Sequence, residues 1–220
     1  MKGLALVLKF IPLGFSALLP VVNPIGSAML FLGLVGRPDH AIMKSLARKV
    51  SINATSFLLV VQLSGGYILR FFGISLPIVQ VAGGLVLASM GWTLLNKENP
   101  EMSATAAPAL SLARVEDKLF YPLTFPITIG PGCIVVALTL SARASVRGIM
   151  EIGLAHLGLA IGTVLVGLIV YFCYGYADRI TTKLSPAASQ AFLRLMAFIL
   201  LCIGSEIVWN GIESLIDTRV

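Results

Sequence analysis

Apolar residues in this chain fall in long uninterrupted runs. Stretches without Asp, Glu, Lys or Arg cover residues 10–36, 50–69, 71–96, 119–142 and 152–177. A sixth, 195–212, is broken only by Glu206. A helix that crosses a bilayer needs about 20 mainly apolar residues. Barrel strands would alternate with a period of two and be half as long. The pattern therefore predicts an all-α integral membrane protein with six transmembrane helices.

Composition points the same way. Of the 220 residues, 57% are hydrophobic and 12% charged, about half the roughly 25% charge of a soluble domain. Mean hydropathy is +0.95. These values exclude a soluble domain, disorder, a coiled coil and a disulfide scaffold. Cys133, Cys173 and Cys202 each fall in an expected span and read as small hydrophobes,. The segment after Lys2 lacks the features of a cleaved signal, since Lys9 interrupts it and no small-x-small site follows,. The net charge of +6 sits in loops beside the spans, without aromatic interleaving. It reads as topology, not as nucleic-acid binding. One side carries Arg37, Lys44, Arg48, Lys49, Lys97, Arg114, Lys118, Arg179, Lys183 and Arg194. The other carries Lys2, Lys9, Arg70, Arg143, Arg147 and Arg219. The positive-inside rule then places both termini outside.

The chain divides near its middle. Residues 97–118 hold two prolines, small residues and mixed charges, and read as a cytoplasmic linker between three-span halves, 1–96 and 119–220,. The halves share an order of features. Pro20 and Pro24-Ile25-Gly26 in span one match Pro126 and Pro131-Gly132 in span four. Gly84 and Gly91 match Ala197 and Gly204 at one constant offset. A three-span unit repeated in sequence enters the membrane from the opposite side the second time. The expected architecture is two inverted repeats with broken or re-entrant first and fourth spans, as in secondary transporters.

The Pro-Gly segments are the candidate chemistry. A proline inside a helix removes an N–H and frees the carbonyl one turn earlier. The 27 residues of run one would extend about 40 Å as a helix, against about 30 Å of hydrocarbon. A break uses that excess, and freed backbone groups must face protein or a watery cavity. Helix-start N–H groups attract a carboxylate, while freed carbonyls and Asn23 suit an ammonium. The expected substrate site is thus Asn23, Pro24, Gly26 and Ser27 with Thr128, Gly130, Pro131 and Gly132. The bland alternative is that these prolines only kink their helices.

Asn23-Pro24-Ile25-Gly26, Ala82-Gly83-Gly84, Gly130-Pro131-Gly132 and Asn210-Gly211-Ile212, taken together over nearly the whole chain, resemble the MarC family of bacterial and archaeal inner-membrane proteins. The resemblance implies six spans, a place in the cell inner membrane, and, from some members, transport of small neutral amino acids such as glycine and alanine. Glu206 departs from the uncharged polar residue expected there.

Other polar residues in the spans have two readings each. Glu206 could bind a coupling proton or a substrate ammonium, or pair structurally with Arg194 or His156. His156 could titrate with it or make a helix-end contact. Asn53, Ser56 and Gln62 make interhelical hydrogen bonds or line a pathway. Gly158 and Gly162 pack helices within the chain or support a homodimer. No Ser-His-Asp set, HExxH, phosphate loop or paired carboxylate occurs in a span, so no enzyme activity, cofactor or metal is expected. The expected function is a secondary transporter of small neutral amino acids or similar solutes, coupled to an ion gradient, with the lipid bilayer as its other partner. The alternatives are a non-transporting scaffold or assembly factor and a channel.

Overall fold

Residues 2–96, 118–144, 148–183 and 185–217 are described by a computed structural model. The linker, apart from Lys118, lies outside the described residues. The elements are α1 (Lys2–Val22), α2 (Pro24–Val35), α3 (His40–Phe71), α4 (Leu76–Leu95), α5 (Leu119–Thr128), α6 (Pro131–Arg143), α7 (Ile149–Gly175), α8 (Ala177–Lys183) and α9 (Pro186–Asp217). Five helical stretches are long and apolar enough to cross a membrane, or six if the bent pair α5–α6 is counted as one span. Leucine, valine and aromatic side chains such as Val60, Leu63, Leu85, Trp92, Leu168 and Phe172 point outward, as a lipid solvent requires.

Two helices exceed the charge-free runs. The helix α3 begins at His40, ten residues before the run at 50, and α9 begins at Pro186, nine before the run at 195. Charge-free length marks only what hydrocarbon can hold. A helix satisfies its own backbone and continues into the interface with charged residues.

Reversals fall at glycines that take positive φ. Gly36 has φ 75° between α2 and α3, and Gly73 has φ 67° between α3 and α4, conformations that cost other residues a Cβ clash.

Close helix contacts use small residues, because lipid tails compete with any larger apolar side chain. A Cβ on Gly84 would sit 2.7 Å from the Gly204 carbonyl oxygen, and one on Gly91 would sit 2.8 Å from that of Ala197. These pairs run in opposite order along α4 and α9, so the two helices are antiparallel. Gly158 and Gly162 face the backbone of α1 at Val7 and Ile11. The GxxxG pair is therefore used inside the chain, with α1 and α7 running parallel.

The helix α7 is the most enclosed of the long helices. Polar contacts tie it to α3 and α6. Ser51 Oγ donates to the Gly167 carbonyl at 2.5 Å, and Gln62 Nε2 to Thr163 Oγ1 at 2.9 Å. Ser141 Oγ donates to the Gln62 carbonyl at 2.6 Å. Gln62 thus makes the expected interhelical bonds. Ser56 is exposed and Asn53 half-buried.

Candidate functional site

Both Pro-Gly segments interrupt a span, but in different ways. In the first, Asn23 alone leaves the helix, with φ 45° and ψ 64°. Asn is among the few non-glycine residues that tolerate this region. Its backbone stays bonded on both sides, N–H to the Leu19 carbonyl at 3.0 Å and C=O from Ser27 N–H at 2.9 Å. Its Oδ1 accepts from Gly26 N–H at 3.3 Å, capping α2, and Pro24 occupies the first turn. A Cβ at Gly26 would collide with the Asn23 amide, so Gly26 is small to admit this cap. The stretch Gly3–Val35 still counts as one span, without the bend seen in the other half.

The second segment is reshaped more strongly. The axis turns 68° between α5 and α6. Within α5 a four-residue unit occurs twice, Tyr121-Pro122-Leu123-Thr124 and Phe125-Pro126-Ile127-Thr128. Tyr121 and Phe125 are both extended, as the residue before a proline prefers. Each threonine hydroxyl donates to a carbonyl five residues back, Thr124 to Leu119 and Thr128 to Leu123, both at 2.7 Å. These side-chain bonds satisfy carbonyls inside the irregular segment. Ile129 and Gly130 are extended, and α6 starts at Pro131 with no side-chain cap.

The two segments meet at Tyr174 of α7. Its hydroxyl lies 2.8 Å from Thr128 Oγ1. Its ring stacks on Phe31 of α2 at 4.6 Å between centroids. Ser27 donates to the Asn23 carbonyl at 2.9 Å. Tyr174 is fully buried. Sequence reasoning missed it because a tyrosine among Phe172 and Tyr176 has no distinguishing pattern. The repeated aromatic-Pro-apolar-Thr unit was a legible signal for the second segment.

Beside this junction is a cavity of about 70 Å³. Thr128, Gly130 and Gly132 line it with Val21, Leu87, Met90, Pro126, Ile127, Cys133 and Leu200. No lining side chain is charged. Its volume is that of about two waters, far below the roughly 300 Å³ or more typical of drug-sized ligands. The first N–H groups of a helix lack intrahelical acceptors, and here no side chain caps them. Pro131 has no N–H, so Gly132 carries the first one, at the cavity wall. Of the expected site residues, Thr128, Gly130 and Gly132 line the cavity. Ser27 does not line it, and its hydroxyl bonds the Asn23 carbonyl. Asn23, Pro24 and Gly26 build the cap of α2, and Pro131 starts α6.

The titratable candidates lie elsewhere. His156 Nδ1 donates to the Ile152 carbonyl at 2.9 Å, which aims Nε2 at Ser141 Oγ, 3.3 Å away. Glu206 is exposed, and its Oε1 accepts from Asn210 Nδ2 at 3.3 Å. It bonds neither Arg194 nor His156. At one end of the bundle Arg37 Nε pairs with Asp178 Oδ1 at 3.0 Å, and both side chains are more than half exposed. Lys44 and Arg179 flank the Tyr176 ring at 5.2 and 5.5 Å.

Residues 8–216 match the family described as MarC family integral membrane proteins. The chain is 30% identical over 216 residues to the inner membrane protein MarC of Salmonella typhimurium, covering 96% of this chain and 97% of that protein. It is 31% identical over 217 residues to the inner membrane protein MarC of an Escherichia coli O139:H28 strain, again covering 96% and 97%. No solved structure matches it.

Proposed function

The chain belongs to the MarC family of integral membrane proteins, and on that premise we propose that it is a secondary transporter of small neutral amino acids or similar solutes. The observation that carries this reading is the uncapped start of α6 opening on a small cavity without charged side chains. Such a site suits a ligand of few heavy atoms and no net charge. Gly132 N–H offers a donor to a carboxylate. The Ile127 carbonyl lacks a donor from Pro131 and offers an acceptor to an ammonium.

Inverted symmetry is part of the proposal, and three features support it. Pro24 and Pro131 each open the second helix of an interrupted span. Each half packs its middle helix, α3 or α7, against the second helix of the other half's interrupted span. Exchanging each residue for its counterpart in the other half turns the contact Gly84–Gly204 into Ala197–Gly91, which is also a contact. In such transporters the broken elements meet at the substrate site. Of the two proton-coupling candidates, His156 has a ring nitrogen aimed at a hydroxyl inside the bundle, while Glu206 is exposed and bonded to Asn210. A homodimer would use a face other than the GxxxG pair, which α1 covers.

Uptake by proteoliposomes of labelled glycine, alanine, serine and larger amino acids, with imposed proton or sodium gradients, tests the function. Saturable uptake of the smallest members, raised by one gradient, is expected. Uptake that never saturates would replace the reading with a channel. No uptake of any member by well-folded protein would replace it with a scaffold.

Orientation is proposed from the charge count, and the meeting of Arg37, Lys44, Asp178 and Arg179 at one bundle end supports that grouping. This end faces the cytoplasm and the termini lie outside. In a variant without native cysteines, Lys183→Cys should resist an impermeant maleimide in intact cells and react after lysis. Labelling in intact cells would reverse the orientation.

A further inference from the structure

A second, larger cavity of about 370 Å³ opens between α1, α6 and α9. Leu13 and Ala17 of α1 and Ile203 of α9 give it apolar walls, while Thr139, Arg143 and Glu206 are its polar groups. Three observations bear on what it holds. Thr139 is 5% exposed, and its Oγ1 has no hydrogen-bond partner among the described residues. A hydroxyl buried in that way is costly unless something fills its valence. Arg143 and Glu206 carry opposite charges on one cavity, yet no ion pair joins them within 4 Å among the described residues. A carboxylate placed this far into an apolar span is also costly without a counter-charge.

We infer that this cavity is a binding site for an amphipathic zwitterion, in chemical terms an α-amino acid with a large aliphatic side chain. Its ammonium sits on Glu206, its carboxylate on Arg143 and Thr139, and its side chain against the apolar walls. The cavity of about 370 Å³ has room for one such molecule whole, whereas a diacyl lipid could enter it only in part. The site is distinct from the smaller cavity at the α5–α6 junction and does not depend on the transport reading. The two are nevertheless stacked on the same helices. Gly132 and Thr139 are seven residues apart on α6, Val21 and Ala17 four apart on α1, and Leu200 and Ile203 three apart on α9. Such spacings share a helix face.

Cys202 lines this cavity and is exposed, whereas Cys133 is buried. In a Cys173→Ser background, alkylation of Cys202 by N-ethylmaleimide in detergent therefore reports occupancy without any need for transport. L-Leucine should slow the reaction saturably. Leucinamide and 4-methylpentanoate, each lacking one charge, should need about tenfold higher concentration for half-protection. Glu206→Gln and Arg143→Gln should each raise the half-protecting leucine concentration about tenfold, and the isosteric Thr139→Val about fivefold. Each variant is first checked for a wild-type gel-filtration profile. No protection by leucine, or equal protection by uncharged 4-methylpentanamide, would overturn the assignment. So would wild-type leucine protection in both charge variants.

Discussion

Gly130→Leu should reduce amino acid uptake to that of empty liposomes while the purified protein melts like wild type. Gly130 has an ordinary φ of −83°, so a side chain adds no backbone strain. A Cβ there would lie 3.8 Å from the Pro126 carbonyl oxygen and 4.0 Å from Met90 Cε, ordinary contact distances. The remaining carbons of leucine would fill the cavity of about 70 Å³ that the position lines. Space taken by leucine is space denied to a substrate. Gly132, two residues on, behaves differently because its Cβ would run into the Leu87 side chain. Gly132→Leu should therefore lower the melting temperature as well as uptake. Wild-type uptake by folded Gly130→Leu would move the site away from the α5–α6 junction and leave the prolines as kinks.

Gly204→Val should lower the melting temperature by roughly 2–12 °C, through an overpacking cost of about 1–3 kcal/mol. Its Cβ would sit 2.5 Å from Ala88 N and 2.8 Å from the Gly84 carbonyl oxygen. Both are backbone atoms and cannot rotate aside, so α4 and α9 must separate along their shared face. Separation forfeits the dispersion contacts that hold helices together in lipid. Gly66 provides the control, since nothing lies within 4 Å of a Cβ there. Gly66→Ala should be neutral or stabilise by up to about 1 kcal/mol, as alanine favours helix. Thermal melting in one detergent measures both, and a Gly204→Val melt indistinguishable from wild type would show that the α4–α9 contact is not tight.

Much of this protein was decided by sequence alone. Runs of 18–27 residues without an acidic or basic group, Glu206 apart, can only be spans, because no soluble fold of this size could cover them. Pro24 and Pro131 marked where a span can break, since neither can donate a helix bond, but Pro12 and Pro20 lack the same donor and lie inside the continuous α1. The small residues at 84, 91, 197 and 204 had to mark close contact, since lipid does not drive larger side chains together. Which helices they join was not legible. Spacing along one chain says that two glycines share a face, but not which partner lies on it. Only the tertiary structure placed Gly84 on Gly204 and turned the GxxxG pair of α7 onto α1. The two prolines of each break did not reveal that one bends the axis sharply and the other does not. That difference depends on Asn23, which closes the first break with its own side chain, and on the threonines of α5, which allow an extended backbone to stay satisfied in the second. Tyr174 became the link between Phe31 and Thr128 only when α7 was packed between them. Glu206 was conspicuous in sequence as a lone acid, but its neighbours on the cavity, Arg143 and Thr139, lie far away along the chain. Local chemistry fixes which residues leave the helix, and packing over long separations fixes what those residues face.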